Sequence, residues 1–197
     1  MRRFVAVAVL LLWLPLPAAA QWRIGLGAAW ERAAGFSRGQ TEGETVRFVP
    51  YRPRTWAGRV DWFRQRLGGS LEIRWAEPDL GLEGQSGAVV LANSGTSVLG
   101  VRPAVALRLA RLTEHVTLAA EAGPILELWS FTDEDRQRIS GEAGLYLDVG
   151  LGGRLSGLVG ASGAVTPSSP FAGALPDGYR PRAGWRWGLR ATVLYRP

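Results

Sequence analysis

The stretch WRWGLRATVLY, residues 185–195, alternates without a break. Trp185, Trp187, Leu189, Ala191, Val193 and Tyr195 fall on one side of an extended chain. Arg186, Gly188, Arg190, Thr192 and Leu194 fall on the other. A period of two is the mark of a β-strand, whose successive side chains point to opposite faces. One face is apolar and ends in aromatics, while the other carries two arginines. What surrounds each face decides the fold.

Seven earlier stretches repeat the pattern. In the first, Trp22, Ile24, Leu26, Ala28 and Trp30 oppose Arg23, Gly25, Gly27 and Ala29, and Glu31 continues the second face. The next sets Trp56, Gly58, Val60 and Trp62 against Arg59 and Asp61; a third sets Leu71, Ile73 and Trp75 against Glu72 and Arg74. A fourth has Leu99, Val101, Pro103, Val105, Leu107 and Leu109 opposite Arg102 and Arg108. A fifth has Val116, Leu118, Ala120, Ala122, Leu126 and Leu128 opposite Glu121 and Glu127. The sixth pairs Ala143, Leu145, Leu147 and Val149 with Glu142, Tyr146 and Asp148; a seventh, of small residues, runs from Leu155 to Val165. No segment reads as a helix. Residues 87–100 carry an Asn-Ser-Gly turn signal and read either as a small hairpin in a long loop or as an interrupted start to the fourth strand. Pro103 and Pro124 predict bulges, because proline supplies no ladder donor.

The connections after the second, fourth and sixth strands are short. Those after the first, third, fifth and seventh are long and polar, as in GFSRGQTEGETVRFVPYRPR (35–54). An up-and-down antiparallel sheet with all its short turns at one end produces that order.

The chain has 197 residues, enough for one domain. It contains 26 glycines and nine tryptophans, its 23 basic residues are all arginine, and it lacks cysteine, which excludes thiol chemistry and disulfides. Residues 1–20 combine Arg2 and Arg3, an apolar run and small residues at Ala18 and Ala20, the layout of a cleaved signal peptide. The rival reading is a membrane anchor, for which the run from Phe4 to Leu16 is short against the roughly 20 residues of a helical span. Residues 21–197 then form the mature domain, with 21 arginines against 17 carboxylates. That excess is too small to indicate a nucleic-acid partner.

A soluble lipocalin-like carrier has the same alternation turned inside out. Three features favour a membrane barrel. Trp22 and Trp30 are separated by about 20 Å along a barrel axis, at roughly 3.3 Å per residue and about 40° of tilt. Trp185, Trp187 and Tyr195 bracket the last strand in the same way, and Trp56, Trp62 and Trp75 share the apolar face. Such placement fits the aromatic girdles that edge an apolar band about 25 Å tall. The second face carries Arg23, Arg59, Arg74, Arg102, Arg108, Arg186 and Arg190 with Glu31, Asp61, Glu72, Glu121, Glu127, Glu142 and Asp148. This equal set suits a narrow lumen where buried charges must pair, although a solvated face would also be charged. The apolar face carries no charge in any of the eight strands.

With these residues in view, the chain resembles the small outer-membrane β-barrels of diderm bacteria, the OmpA-like and OmpX-like class, over Gln21 to Tyr195. The resemblance implies an all-β, eight-stranded antiparallel up-and-down transmembrane β-barrel in the outer membrane. It also implies insertion by the outer-membrane assembly machinery, which reads a terminal aromatic residue. Here Arg196 and Pro197 follow Tyr195, a departure from that pattern.

Some barrels of this kind modify lipid A with a serine and a histidine near the outer rim, the main alternative to a non-enzymatic role. The single histidine, His115, falls at a short turn at the opposite end, and no G-x-S-x-G occurs; GASGA (160–164) is out of register. DEDR (133–136) reads as a solvated loop rather than a calcium site. No catalytic residue, metal or cofactor is expected. A barrel of eight strands is also too narrow for general diffusion, which takes about 16. The long loops carry Arg38, Arg47, Arg52, Arg54, Arg180 and Arg182 with Phe48, Tyr51, Phe171 and Tyr179. These suit contact with anionic lipopolysaccharide or a partner protein. The expected protein is a monomer with a structural or interaction role.

Overall fold

The computed structural model describes residues 21–197 apart from 42–43, 52, 85–86, 92–94, 133 and 171–177. The side chains of 41, 44, 48, 51 and 88–91 also lie outside the description. The expected signal peptide, 1–20, therefore falls outside the described residues, as do Arg52, Asp133 and Phe171.

Among the described residues eleven strands follow in order: β1 (Gln21–Thr41), β2 (Glu44–Tyr51), β3 (Arg54–Arg64), β4 (Leu67–Ala76), β5 (Asp79–Glu83), β6 (Ala88–Leu91), β7 (Ser97–Arg111), β8 (Val116–Ser130), β9 (Asp135–Gly152), β10 (Leu155–Thr166) and β11 (Arg180–Tyr195). Eight of them, β1, β3, β4, β7, β8, β9, β10 and β11, pair antiparallel in chain order, and β11 returns to pair with β1. The ring has no free edge, so every strand of the wall has a hydrogen-bonded neighbour on both sides. Closure runs from Ile24↔Tyr195 to Arg38↔Arg180, with a register shift between Gly35 and Ser37. Gly35 and Phe36 both take positive φ there, 87° and 64°, and the bend turns Phe36 into the barrel, where it is fully buried.

The expected parity holds around the wall. Leu26, Ile73, Val105, Leu145, Val159, Leu189 and Val193 are exposed on the outside, while Arg59, Asp61, Glu72, Arg102 and Glu121 are buried inside. The short connections lie at one end: the two-residue turn Gln65–Arg66, residues 112–115, and the Gly153–Arg154 turn.

The structure departs from the sequence reading in two places and decides between its alternatives in a third. The first strand does not give way to the loop expected over 35–54. It continues to Thr41, and its upper end pairs with β2 at Gly39↔Val46 to Thr41↔Glu44. β2 then pairs with β5, and β5 with β6. The first two long loops are thus built into a ribbon, because β1 outruns β3 and leaves a backbone edge that another strand satisfies. Of the two readings of 87–100, the small hairpin in the long loop is the one observed: residues 88–91 pair with 79–83, and the fourth wall strand begins at Ser97. Finally, Pro103 and Pro124 do not create bulges. The β7–β8 register is the same at Val101↔Leu126 and Val105↔Ala122; the shift comes later, between Arg108 and Ala110. The prolines oppose one another in that register, so both missing donors fall in one gap of one ladder. Each keeps its place beside the other neighbour, at Leu71↔Pro103 and Pro124↔Gly141.

Candidate functional site: a charged lumen inside an apolar wall

Inward parity delivers the charged residues of eight strands to one narrow space. Arg23 Nη1 donates to both carboxylate oxygens of Asp148, at 2.8 and 2.6 Å, and its Nη2 to Asp61 at 3.1 Å. Arg59 Nε donates to the other Asp61 oxygen at 2.5 Å. Arg59 also grips Glu121 with both terminal nitrogens and stands 3.5 Å from Glu72. Arg102 Nη1 donates to Glu121 at 3.0 Å; its Nε lies 3.0 Å from Glu142 without hydrogen-bond alignment. Arg74 donates through Nε to Glu72 and through two parallel bonds of 2.6 Å to Glu142. Arg190 bridges the same two carboxylates, at 3.0 Å to Glu72 and 3.2 Å to Glu142.

Five arginines and five carboxylates therefore form one connected, electrically neutral set. Neutrality matters because an uncompensated buried ion costs several kcal/mol, roughly, while a paired and hydrogen-bonded one recovers most of it. Toward the long-loop end a second group forms. Arg186 binds Glu127 and stands 3.7 Å from Glu31. Glu127 also accepts from Ser140 Oγ at 3.1 Å and from Trp129 Nε1 at 3.3 Å.

Arg108 behaves differently. It was expected among the paired charges, but it has no carboxylate partner among the described residues. Its Nη1 donates to the Gln65 carbonyl at 3.1 Å and its guanidinium lies 4.2 Å over the Phe63 ring. Leu107 pairs with Leu67 and the Arg108 N–H donates to the Arg66 carbonyl, which sets Arg108 level with the turn, at the mouth rather than in the lumen proper.

Side chains fill the rest of the interior. Tyr146 is buried against Leu158 and Leu194, with Arg190 5.9 Å from its ring centroid. Gly160 leaves room for that ring: a Cβ there would stand 2.5 Å from Tyr146 Cδ1 and 2.2 Å from the Leu145 carbonyl oxygen. At the long-loop end Ala33, Phe36, Val98 and Trp129 pack together, with Leu80 and Phe131 against them. Beneath this cap the space beside Glu31, Glu127 and Arg186 is about 20 Å³, which holds about one water molecule. Trp129, Phe36 and Phe63 were not singled out from the sequence. Trp129 shares parity with Glu127, and Phe63 with Asp61, which was signal enough to turn both inward.

All eight aromatics expected at the membrane boundary stand on the outer wall. Trp30, Trp56, Trp75, Trp185, Trp187 and Tyr195 are exposed, Trp56 the most at 66%. Trp22 and Trp62 are half-buried against each other, with ring centroids 5.8 Å apart. Trp56 faces Trp75 across β3 and β4, and Trp30 meets Trp187 edge-on at 6.2 Å. Trp22, Trp62 and Tyr195 gather toward the short-turn end, and the other five toward the long-loop end.

His115 is exposed at the short-turn end. Its N–H bonds to Thr113 Oγ1 and its carbonyl accepts from Gly150. Among the described residues no group of three His, Cys, Asp or Glu side chains could hold a metal ion, and no helix is long and apolar enough to cross a membrane. In the DEDR segment Glu134 pairs with Arg136, which turns inward and donates to the Pro170 carbonyl at 2.7 Å. Arg38, Arg47, Arg54, Arg180 and Arg182 are exposed at the long-loop end.

No protein-family model and no curated protein sequence matches the chain. Solved structures do. Neisserial surface protein A superposes with a TM-score of 0.64 at 8% identity, covering 91% of this chain and 99% of that one. The outer membrane protein OprG of Pseudomonas aeruginosa gives 0.54 at 11% identity, covering 91% and 97%. The N-terminal β-barrel domain of Pseudomonas aeruginosa OprF gives 0.50 at 10%, covering 89% and 99%. The chain has the fold of the small outer-membrane β-barrels.

Proposed function

We propose that this protein resides in the outer membrane of a diderm bacterium as a monomeric, non-enzymatic barrel with a structural and interaction role. The observation that carries the reading is the inverted polarity of the wall. Leu26 is 77% exposed on the outside while Arg102, Asp61 and Glu72 are 0% exposed within. Water around such a wall would leave a continuous apolar belt unsatisfied; hydrocarbon satisfies it. Within the same proposal the neutral Arg–carboxylate set is a structural strut that closes the lumen, the outer aromatics lie at the lipid headgroups, and the assembly machinery inserts the chain after signal-peptide cleavage. The ribbon β1–β2–β5–β6 and the exposed arginines at the long-loop end face outward from the cell and contact anionic lipopolysaccharide.

The test is gel mobility of detergent-extracted protein with and without boiling. The folded barrel is expected to migrate faster unboiled and to fractionate with the outer membrane. Recovery in the periplasm without detergent would overturn the reading in favour of a soluble lipocalin-like carrier. Lipid A examined by mass spectrometry with and without the protein is expected to be unchanged, and altered acylation would make it an enzyme.

A further inference from the structure

Arg108 points inward from the barrel wall yet has no carboxylate partner among the described residues, and it faces a cavity. The short-turn mouth is a half-open basin of about 780 Å³ in which Arg108 lies over the buried Phe63 ring, a volume that suits a small ligand rather than a single ion. Six arginines line it, Arg23, Arg66, Arg108, Arg111, Arg154 and Arg196, against two carboxylates, Glu114 and Asp148. Asp148 is already held by Arg23 through both oxygens. Arg111 is bound to the carbonyls of Thr113 and Glu114, and Arg154 to the Tyr195 hydroxyl. The Arg66 and Arg196 side chains make no hydrogen bond among the described residues. The mouth thus combines an uncompensated positive charge, a concave shape and at least three guanidinium groups with free donors. The neutral lumen directly above it makes the contrast sharper.

We propose that this mouth binds a phosphate group, free or carried as the headgroup of an anionic lipid, with Arg108 at its base and Arg66 and Arg196 at its rim. Guanidinium forks match phosphate oxygens in pairs, and such charge-assisted bonds are the strong ones. Leu151 and Leu155, both exposed beside the Gly152–Gly153 turn, line the same opening, so it sets an apolar border next to the basic groups, as a lipid would need. The free-phosphate arm goes beyond the function proposed above and does not depend on it; the lipid arm rests on it.

The full-length folded protein in non-ionic detergent is titrated with inorganic pyrophosphate by calorimetry. In a second arm, protein in nanodiscs of phosphatidylglycerol or of phosphatidylcholine is released for native mass spectrometry. One-to-one saturable pyrophosphate binding is expected, weakened about tenfold or more by Arg108→Gln, weakened likewise by the double change Arg66→Gln and Arg196→Gln, and unaltered by Arg64→Gln, an exposed arginine that does not line the cavity. Retention of phosphatidylglycerol but not phosphatidylcholine, with the same dependence and no pyrophosphate binding, assigns the phosphate to a lipid. Boiling-dependent mobility checks the fold of each variant. Should Arg108→Gln fail to fold, the double variant at the exposed rim decides. Absence of saturable binding in both arms, or binding that survives the rim double variant, overturns the proposal.

Discussion

Glu142 receives two bonds of 2.6 Å from Arg74 and one of 3.2 Å from Arg190, with Arg102 Nε close by. Such a group is worth most through what its loss leaves behind. Glu142→Gln keeps the volume but removes the charge on which three buried arginines rely. Breaking a buried pair in this way costs about 3–5 kcal/mol. The expected result is a lower urea midpoint for the refolded barrel in detergent, read by tryptophan fluorescence; an unchanged midpoint would show that the arginines find compensation elsewhere. The membership of the charged set was legible from parity. Its pairing was not. Arg23 and Asp148 are 125 residues apart, and Arg190 and Glu72 are 118 apart. Only barrel closure and strand stagger decide such neighbours. Arg108 shows the same limit: its parity is inward, but the pairing of Leu107 with Leu67 sets it level with the turn, at the opening.

The wall strands carry their two environments in alternate residues, and a single misplaced charge tests this. Leu145 sits on the outer face of β9, flanked by Ala120 of β8 and Ala161 of β10. Leu145→Arg is expected to destabilise the barrel in lipid vesicles by about 2–4 kcal/mol, the cost of an arginine near the bilayer midplane. The same substitution in water-soluble surroundings would cost little, so equal folding in vesicles would contradict a membrane wall. At this scale the eight wall strands were legible because period two repeats where both faces are constrained. The upper half of β1, β2 and the β5–β6 hairpin were not. There the chain extends past the apolar belt, and segments such as GFSRGQTEGETVRFVPY lose clean alternation because neither face is held in one solvent. They are strands because β1 offers a backbone edge, a fact that no local sequence pattern contains.

At the scale of the whole molecule, the proposed structural role makes the interior a packed column rather than a channel. The Phe36–Trp129 cluster lies at the long-loop end, the charged set in the middle, and Phe63 beneath Arg108. Purified protein in planar bilayers is therefore expected to give no steady conductance steps, whereas a stable open level would show a continuous water path through the lumen. An eight-stranded barrel has an interior about wide enough for its own side chains. The glycines facing inward, such as Gly160 beside Tyr146, make that fit possible.

The amino-acid sequence by itself determined which residues face outward and which face one another, because a strand between two unlike environments must write both into alternate positions. It determined the order of short and long connections, and hence which end carries the turns. Tertiary structure alone decided which arginine meets which carboxylate, where the lumen is capped, and that Arg108 opens onto a basic cavity. Those outcomes depend on register between strands distant in the chain, and register is a property of the closed ring, not of any one strand within it.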